Sequence, residues 1–332
     1  MAQGQPLSTP PAGSATTGAP GAPGTTVAVP GRRGVRPIRL TTRIISTLLF
    51  VGPALVLIAF FIVYPTIRTI ILSLYTQVGI GFSPPLKFIG LDNYTSMTQD
   101  SSMGTAIVNN ILWLVIVTPV TVVLGVIFAV LFDRVRYEAV AKSIVFIPTA
   151  ISATAAGVIW RLMYADDPHT GTINAIVQRI IPNFQGISFL GNTNFVNFAL
   201  MGAQVWTALG FAVIVLSAAL KAIPRDMTEA ARIDGATELQ IFRRIIVPLM
   251  WPTITVIATL TMIGVLKIFD LIYTMTNGGP AGASTVLALR MYVESFANAN
   301  PGYGSAIAVV LFIAVIPVMA LNIRRFQSAG SR

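Results

Sequence analysis

The sequence predicts an all-α integral membrane protein of six transmembrane helices with both termini on the cytoplasmic side. Three observations carry that prediction. First, mean hydropathy is +0.76 and charged residues make up only 10 % of the 332 residues, whereas soluble domains carry about 25 %. So few charges cannot cover a water-exposed surface of this size, but lipid solvates apolar helices that close their backbone hydrogen bonds internally. Second, six apolar runs each approach or exceed the length needed to cross the hydrocarbon. Third, sixteen of the 22 Lys and Arg residues fall in the segments on one side of these runs and five on the other. Basic loops stay inside, so the termini are assigned there.

Residues 1–40 are rich in Pro, Gly, Ala and Thr and end in a basic cluster of Arg32, Arg33, Arg36 and Arg39. Such a segment has too little to bury and reads as a disordered cytoplasmic tail. The transmembrane domain then runs over residues 41–326. Its first span, residues 44–64, would be about 30 Å long as a helix. Pro65 follows, and residues 67–75 read as an outer helical extension. The remaining spans are placed at residues 107–132, 141–164, 195–220, 251–273 and 306–321. Outer segments 82–100 and 166–194 carry Pro, Gly, Asn, Asp and Thr and read as loops with short local structure. Residues 327–332 form a short cytoplasmic tail.

Composition also excludes chemistry. With no cysteine and a single histidine, His169, thiolate metal sites, disulfides and His clusters are ruled out. None of Lys87, Lys142, Lys221 and Lys267 follows a glycine, so the Gly-Lys-Ser/Thr step of a phosphate-binding loop is missing. The twelve acidic residues are scattered without a paired-carboxylate constellation. A net charge of +10 accompanies topology-setting basic loops, not a nucleic-acid surface.

The loop at residues 223–248, between spans four and five, is the most informative segment. Pro224, Asp226 and Glu229 suit a helix start. Ala230 and Ala231 favour helix with almost no bulk. Gly235 is a natural stop, and Thr237 with Gln240 fits a capping box that restarts a helix. Two readings fit this helix–Gly–helix pattern. It is an ordinary amphipathic loop, or a small smooth surface beside a carboxylate that inserts into a groove on a partner.

The string Glu229-Ala230-Ala231, followed by Asp234-Gly235-Ala236, Phe242 and Pro248, resembles the EAA loop of ABC-importer permeases. Phe269-Asp270-Leu271-Ile272-Tyr273 with Thr276-Asn277-Gly278-Gly279-Pro280 resembles the end of the fifth core helix of the sugar permeases in that family. Phe146-Ile147-Pro148 with Trp160 resembles their third span. The likeness covers residues 44–326 and is nearest to the MalF-like half of a heterodimer, without that protein's large periplasmic insertion.

The resemblance implies a type I ABC importer permease fold in the cytoplasmic membrane of a prokaryote. It implies a second homologous permease, two ATP-binding subunits and an extracytoplasmic substrate-binding protein as partners, with lipid around the chain and no nucleic acid. ATP and Mg would be bound by the partner subunits, with no cofactor in this chain and no enzyme activity of its own. Glu229, Ala230, Ala231, Asp234, Gly235 and Ala236 would couple to the ATPase. The cargo would be a sugar of the oligosaccharide or α-glucoside class; glycerol phosphate is the alternative, since related permeases carry it. A secondary transporter would share the span count but has no reason to carry this loop.

Candidate substrate-path residues are Lys267, Asp270, Tyr273, Asn277, Trp206 and Gln204. Lys267 and Asp270, three apart in span five, would share a helix face as a structural pair or line the path. Tyr273 and Trp206 offer stacking faces, though Trp206 also suits packing. Asn277 with its glycines also suits a plain turn. Asn109 and Asn110 read as helix-entry residues.

Overall fold

The computed structural model describes residues 40–78, 85–181, 184 and 186–329. All of the expected tail over residues 1–40 except Leu40, and the last three residues, lie outside that description. The chain divides into two units at residues 56 and 57. Of the first, residues 40–56 are described, and they are helical, within α1 (Leu40–Ile58).

The second unit holds all the packing described below. A π-helical turn over Ala59–Val63 leads into α2 (Tyr64–Leu72). That turn and the first-turn position of Pro65 let the chain stay helical through a residue without an N–H. A short antiparallel pair, β1 (Tyr75–Gln77) and β2 (Leu86–Phe88), caps this end, with Thr76 opposite Lys87. Helix α3 (Asp92–Gln99) follows and ends at Asp100, which caps the next helix by accepting from Ser102 N.

Helix α4 (Ser101–Asp133) and α8 (Val196–Lys221) make the most extensive helix pair. At Gly125 a Cβ would sit 3.1 Å from the Ala212 Cβ, so the glycine sets their close approach. Helix α11 (Val247–Leu266) packs on both. Val126, Ala129, Ala212, Leu216, Met250 and Ile257 fill the core at that level. Toward the other end, Trp113, Val117, Leu200, Ala203, Leu271 and Ile272 form a second core.

Between α4 and α8 lie α5 (Glu138–Phe146) and α6 (Ala153–Met163), then α7 (Thr172–Ile180). The expected straight span over residues 141–164 is bent. Glu138–Ala150 and Ala153–Met163 meet at 102°. Pro148 lies in the 3₁₀ turn at the bend, Ser152 accepts from Ala155 N to start α6, and Thr149 Oγ1 donates to Thr207 O of α8 at 3.0 Å. The Ser152 cap takes up a backbone N–H that a straight helix would have paired, and the Thr149 hydroxyl ties the bend to α8.

The loop after α8 contains α9 (Arg225–Ile233) and α10 (Glu238–Ile241). Past α11 come α12 (Asp270–Met275), α13 (Leu287–Tyr292) and the long α14 (Pro301–Ala329). Helix α14 continues through the first three residues of the expected C-terminal tail. Among the described residues five helices are long and apolar enough to cross a membrane, and the bent pair makes up to six. Large apolar side chains such as Leu49, Phe61, Ile111 and Phe312 stand exposed on these helices. Lipid, not water, is the medium that such a surface fits.

Candidate functional site

The α9–α10 loop forms as its local sequence dictates. Pro224 is the N-cap residue of α9, one position earlier than a first-turn proline, and Asp226 lies in the first turn. At the far end Gly235 has φ +81°. Gly235 N donates to Arg232 O at 3.0 Å and Ala236 N to Ala231 O at 2.9 Å. These two bonds are a Schellman stop. The capping box is complete: Thr237 N donates to Gln240 Oε1 at 2.8 Å and Gln240 N to Thr237 Oγ1 at 3.4 Å.

The loop's backbone is fixed by these bonds, while part of the α9 surface is left uncovered. Glu229, Ala230 and Asp234 are exposed, and Ala231 and Ala236 half-buried. The Glu229 carboxylate makes no hydrogen bond or ion pair among the described residues. Ile233 is 87 % exposed, and Met227 and Leu239 also stand out from the loop. A carboxylate beside small and apolar side chains on a fixed helix can enter a groove of another protein.

A second group of residues surrounds a break in the chain at the end of α11. The sequence places Lys267 and Asp270 on one continuous helix face. The structure corrects this. Helix α11 ends at Leu266, Lys267 is its C-cap with φ −100° and ψ 11°, and α12 starts afresh at Asp270. The two side chains form no ion pair, and both are exposed.

The cause of the break is remote in sequence. Asn110 Nδ2 donates to Leu266 O at 3.3 Å, and Asn110 Oδ1 accepts from Leu287 N at 2.8 Å. One buried amide therefore satisfies the last carbonyl of α11 and the first N–H of α13. Asn109 Nδ2 donates to Ala283 O and Thr285 O, each at 2.8 Å. Asn197 Nδ2 donates to Asn109 Oδ1 at 3.1 Å and Trp113 Nε1 to Asn197 Oδ1 at 3.3 Å. Asn109 and Asn110 are thus buried anchors within α4, not helix-entry residues. Their apolar flanks gave no sign of it, since every side-chain partner is distant in sequence.

Around the break three rings gather. Phe269 stacks on Tyr273 with centroids 5.3 Å apart, and Tyr292 meets Phe269 at 5.0 Å and Tyr273 at 5.5 Å. Tyr292 came from a segment the sequence did not single out. A cavity of about 340 Å³ opens here, lined by Lys267, Phe269, Met291 and Tyr292 among others. Aromatic and apolar faces beside the Lys267 ammonium suit a polyhydroxyl solute, which offers C–H faces and hydroxyls.

The other candidates divide. Asn277 has φ +47° and its N–H donates to Ile272 O at 2.9 Å, so its backbone ends α12 as a turn residue. Trp206 stands edge-on to Trp160 at 5.6 Å, in a ring chain that continues through Tyr164 to Phe189. Its placement is that of packing. Gln204 is half-buried on α8 near it.

A charged cluster not anticipated from sequence joins three other elements. Arg290 Nη2 donates to Asp100 Oδ2 at 2.9 Å and pairs with Glu294 Oε1 at 2.8 Å, while Tyr303 Oη donates to Asp100 Oδ2 at 3.0 Å. Burial alone would raise the Asp100 carboxyl, but hydrogen bonds from Ser102, Arg290 and Tyr303 outweigh it and hold it well below the usual carboxylate range.

Residues 101–328 match the profile of the family described as the binding-protein-dependent transport system inner membrane component. The osmoprotective compounds uptake permease GgtC of a Synechocystis species is 44 % identical, over 84 % of this chain and 98 % of that protein. The α-glucoside transport system permease AglF of Rhizobium meliloti is 41 % identical, over 83 % and 81 %. The trehalose/maltose transport system permease MalF of Thermococcus litoralis is 32 % identical, over 84 % and 93 %. Among solved structures, a chain of a bacterial alginate ABC transporter in complex with an alginate pentasaccharide-bound periplasmic protein has the same fold. Its TM-score is 0.73 at 20 % identity, over 84 % of this chain and 93 % of that one. The profile spans α4 to α14, and with it the α9–α10 loop and the break at Lys267: this multi-pass membrane protein belongs to the family of inner-membrane components of binding-protein-dependent transport systems.

Proposed function

We propose that the chain is the channel-forming permease of an ATP-driven importer that moves a sugar of the oligosaccharide or α-glucoside class across the cytoplasmic membrane of a prokaryote. In this reading the bent pair counts as one span, which gives six, and both termini face the cytoplasm. A second homologous permease completes the path, and an extracytoplasmic binding protein delivers the sugar. Two ATP-binding subunits carry ATP and Mg and do the hydrolysis. Glu229, Ala230, Ala231, Asp234, Gly235 and Ala236 form the docking helix and its turn.

The observation that carries this reading is the α9 surface: an unpaired Glu229 and an Ile233 that is 87 % exposed, on a helix fixed at its end by a Schellman stop. A solvent-facing isoleucine at that level has its natural cover in a cleft of the ATP-binding subunit. The substrate class is supported by the names of the relatives and by the Phe269, Tyr273 and Tyr292 rings. Lys267 lines the same cavity as Phe269 and Tyr292 and supplies a hydrogen-bonding group there.

The test is ATP hydrolysis by the reconstituted complex with binding protein loaded with maltose, trehalose, sucrose or glycerol 3-phosphate. Stimulation by one of the sugars, lost in Glu229→Ala, supports the reading. Stimulation by glycerol 3-phosphate alone moves the substrate class. ATPase activity in Glu229→Ala equal to wild type removes the coupling role from this loop.

A further inference from the structure

Two carboxylates gather the polar ends of the helices near the α9–α10 loop. Glu238 Oε1 accepts from Arg232 Nε at 2.8 Å, and its Oε2 accepts from Arg134 Nη2 at 2.7 Å. Arg232 belongs to the last turn of α9, and Arg134 is the C-cap of α4. Glu138, at the start of α5, pairs with Lys142 and with Lys221 at the end of α8. The Lys142 ammonium in turn donates to Ser217 of α8. Between these side chains lies a cavity of about 490 Å³, lined by residues of α4 and of α9, among them Asp133, Arg134, Arg225 and Arg232. Glu238 reaches both helices at its rim.

Helix α4 is an unbroken run of 33 residues. Arg134 ends it, and Asn110 sits 24 residues earlier, about 36 Å along the axis. Asn110 is the residue that holds the break beside Lys267. A displacement of the α4 end is therefore delivered to the candidate substrate cavity by one helix packed along its length.

We propose that Glu238 is the positioning strut that ties α9 to α4, so that movement of the docking helix is passed to the helix that holds the substrate-side break. The proposal rests on the reading of α9 as the docking helix. Surface ion pairs add little to stability. The strut acts by fixing geometry: one carboxylate held by two cations on separate helices leaves the loop less freedom to pivot than either pair alone.

The experiment uses the full complex in liposomes. The chain has no native cysteine, so Tyr137→Cys, at an exposed position just beyond α4, takes a single environment-sensitive fluorophore. Its response to MgATP is titrated in the parent, Glu238→Gln, Arg134→Gln, the double variant and Glu229→Ala. Each strut variant is expected to raise the half-maximal MgATP concentration about two- to fivefold, the range of an exposed ion pair. The double variant should be no worse than Glu238→Gln alone, because both changes remove the same contact. An Arg134→Gln indistinguishable from the parent, or a double variant equal to the product of the singles, overturns the strut. If Glu229→Ala alone is impaired, the docking reading stands and the strut falls. If all variants behave as the parent, both fall. Binding of the ATPase subunits to each variant, measured by pull-down, is expected to be unchanged; loss of binding in Glu238→Gln would place this side chain at the subunit interface and overturn the proposal.

Discussion

The amide of Asn110 lies 2.8 Å from Leu287 N and accepts its hydrogen, while its other end takes the Leu266 carbonyl. Replacing it with alanine leaves two buried backbone groups without partners, at about 1–3 kcal/mol each. Asn110→Ala should lower the melting temperature of the detergent-solubilised protein by several degrees. Asn110→Asp keeps the acceptor for Leu287 but sets a buried carboxylate oxygen against the Leu266 carbonyl, so it should recover none of the loss. Equal melting of all three forms would show that water replaces the amide at no cost.

Gly235 offers a sharper test of the loop. A Cβ there meets no other atom within 4 Å, but φ is +81°. Gly235→Val should therefore act through backbone strain of about 1–3 kcal/mol, not through collision. The expected result is a correctly inserted protein whose sugar-stimulated ATPase falls several-fold, with Gly235→Asn less affected because asparagine tolerates this region. Equal activity in Val and Asn variants would contradict the geometry.

At Gly210 the argument is steric. A Cβ would sit 2.4 Å from Val145 O and 2.7 Å from Phe146 Cα. Gly210→Ala should force α5 away from α8 and destabilise the protein by about 1–3 kcal/mol. Thermal unfolding followed by tryptophan fluorescence would read this; an unchanged midpoint would mean the seam relaxes freely.

Asp100 predicts an acid limb. Its folded-state value lies below the ordinary 3.8. A carboxyl depressed on folding stabilises fully above its unfolded value, and that contribution is lost as pH falls toward the folded value. The loss therefore begins below about pH 4. Asp100→Asn should be less stable than wild type at pH 7, and the gap should narrow as pH falls. A gap that stays constant with pH would remove the ion pair as its cause.

The ring cluster predicts a selective loss. Tyr292→Ala removes a ring that contacts both Phe269 and Tyr273. Aromatic pairs contribute about 0.5–1.5 kcal/mol, so the half-saturating sugar concentration for transport should rise about two- to tenfold. Basal ATP hydrolysis should hold. An unchanged half-saturation would move the sugar path away from these rings.

What could be read from sequence was local. The Gly235 stop and the Thr237–Gln240 box rest on neighbours within a few positions, and both form as the residues imply. The break at Lys267 rests on Asn110, 156 residues from Leu266, so periodicity carried the helix straight through it. The 102° bend had one local sign, Pro148, but the bond from Thr149 to Thr207 that holds it crosses 58 positions. Tyr292 joined the rings for the same reason: it comes from α13, while Phe269 and Tyr273 belong to α12 and its cap, and no local spacing links the two elements.

The bend has a bearing on how the chain enters the membrane. Its limbs of 13 and 11 residues would measure about 20 and 17 Å as helices, against a hydrocarbon core of about 30 Å. Neither limb alone is long enough to be recognised as a span by the insertion machinery, and the exposed polar groups at the bend oppose entry into bare lipid. The Thr149 hydroxyl at the bend finds its acceptor, the Thr207 carbonyl, only in α8, so the bent pair should settle once α8 has been made. Insertion of this protein is in that respect an event of synthesis order: a chain truncated before residue 196 should leave the third segment in the wrong place.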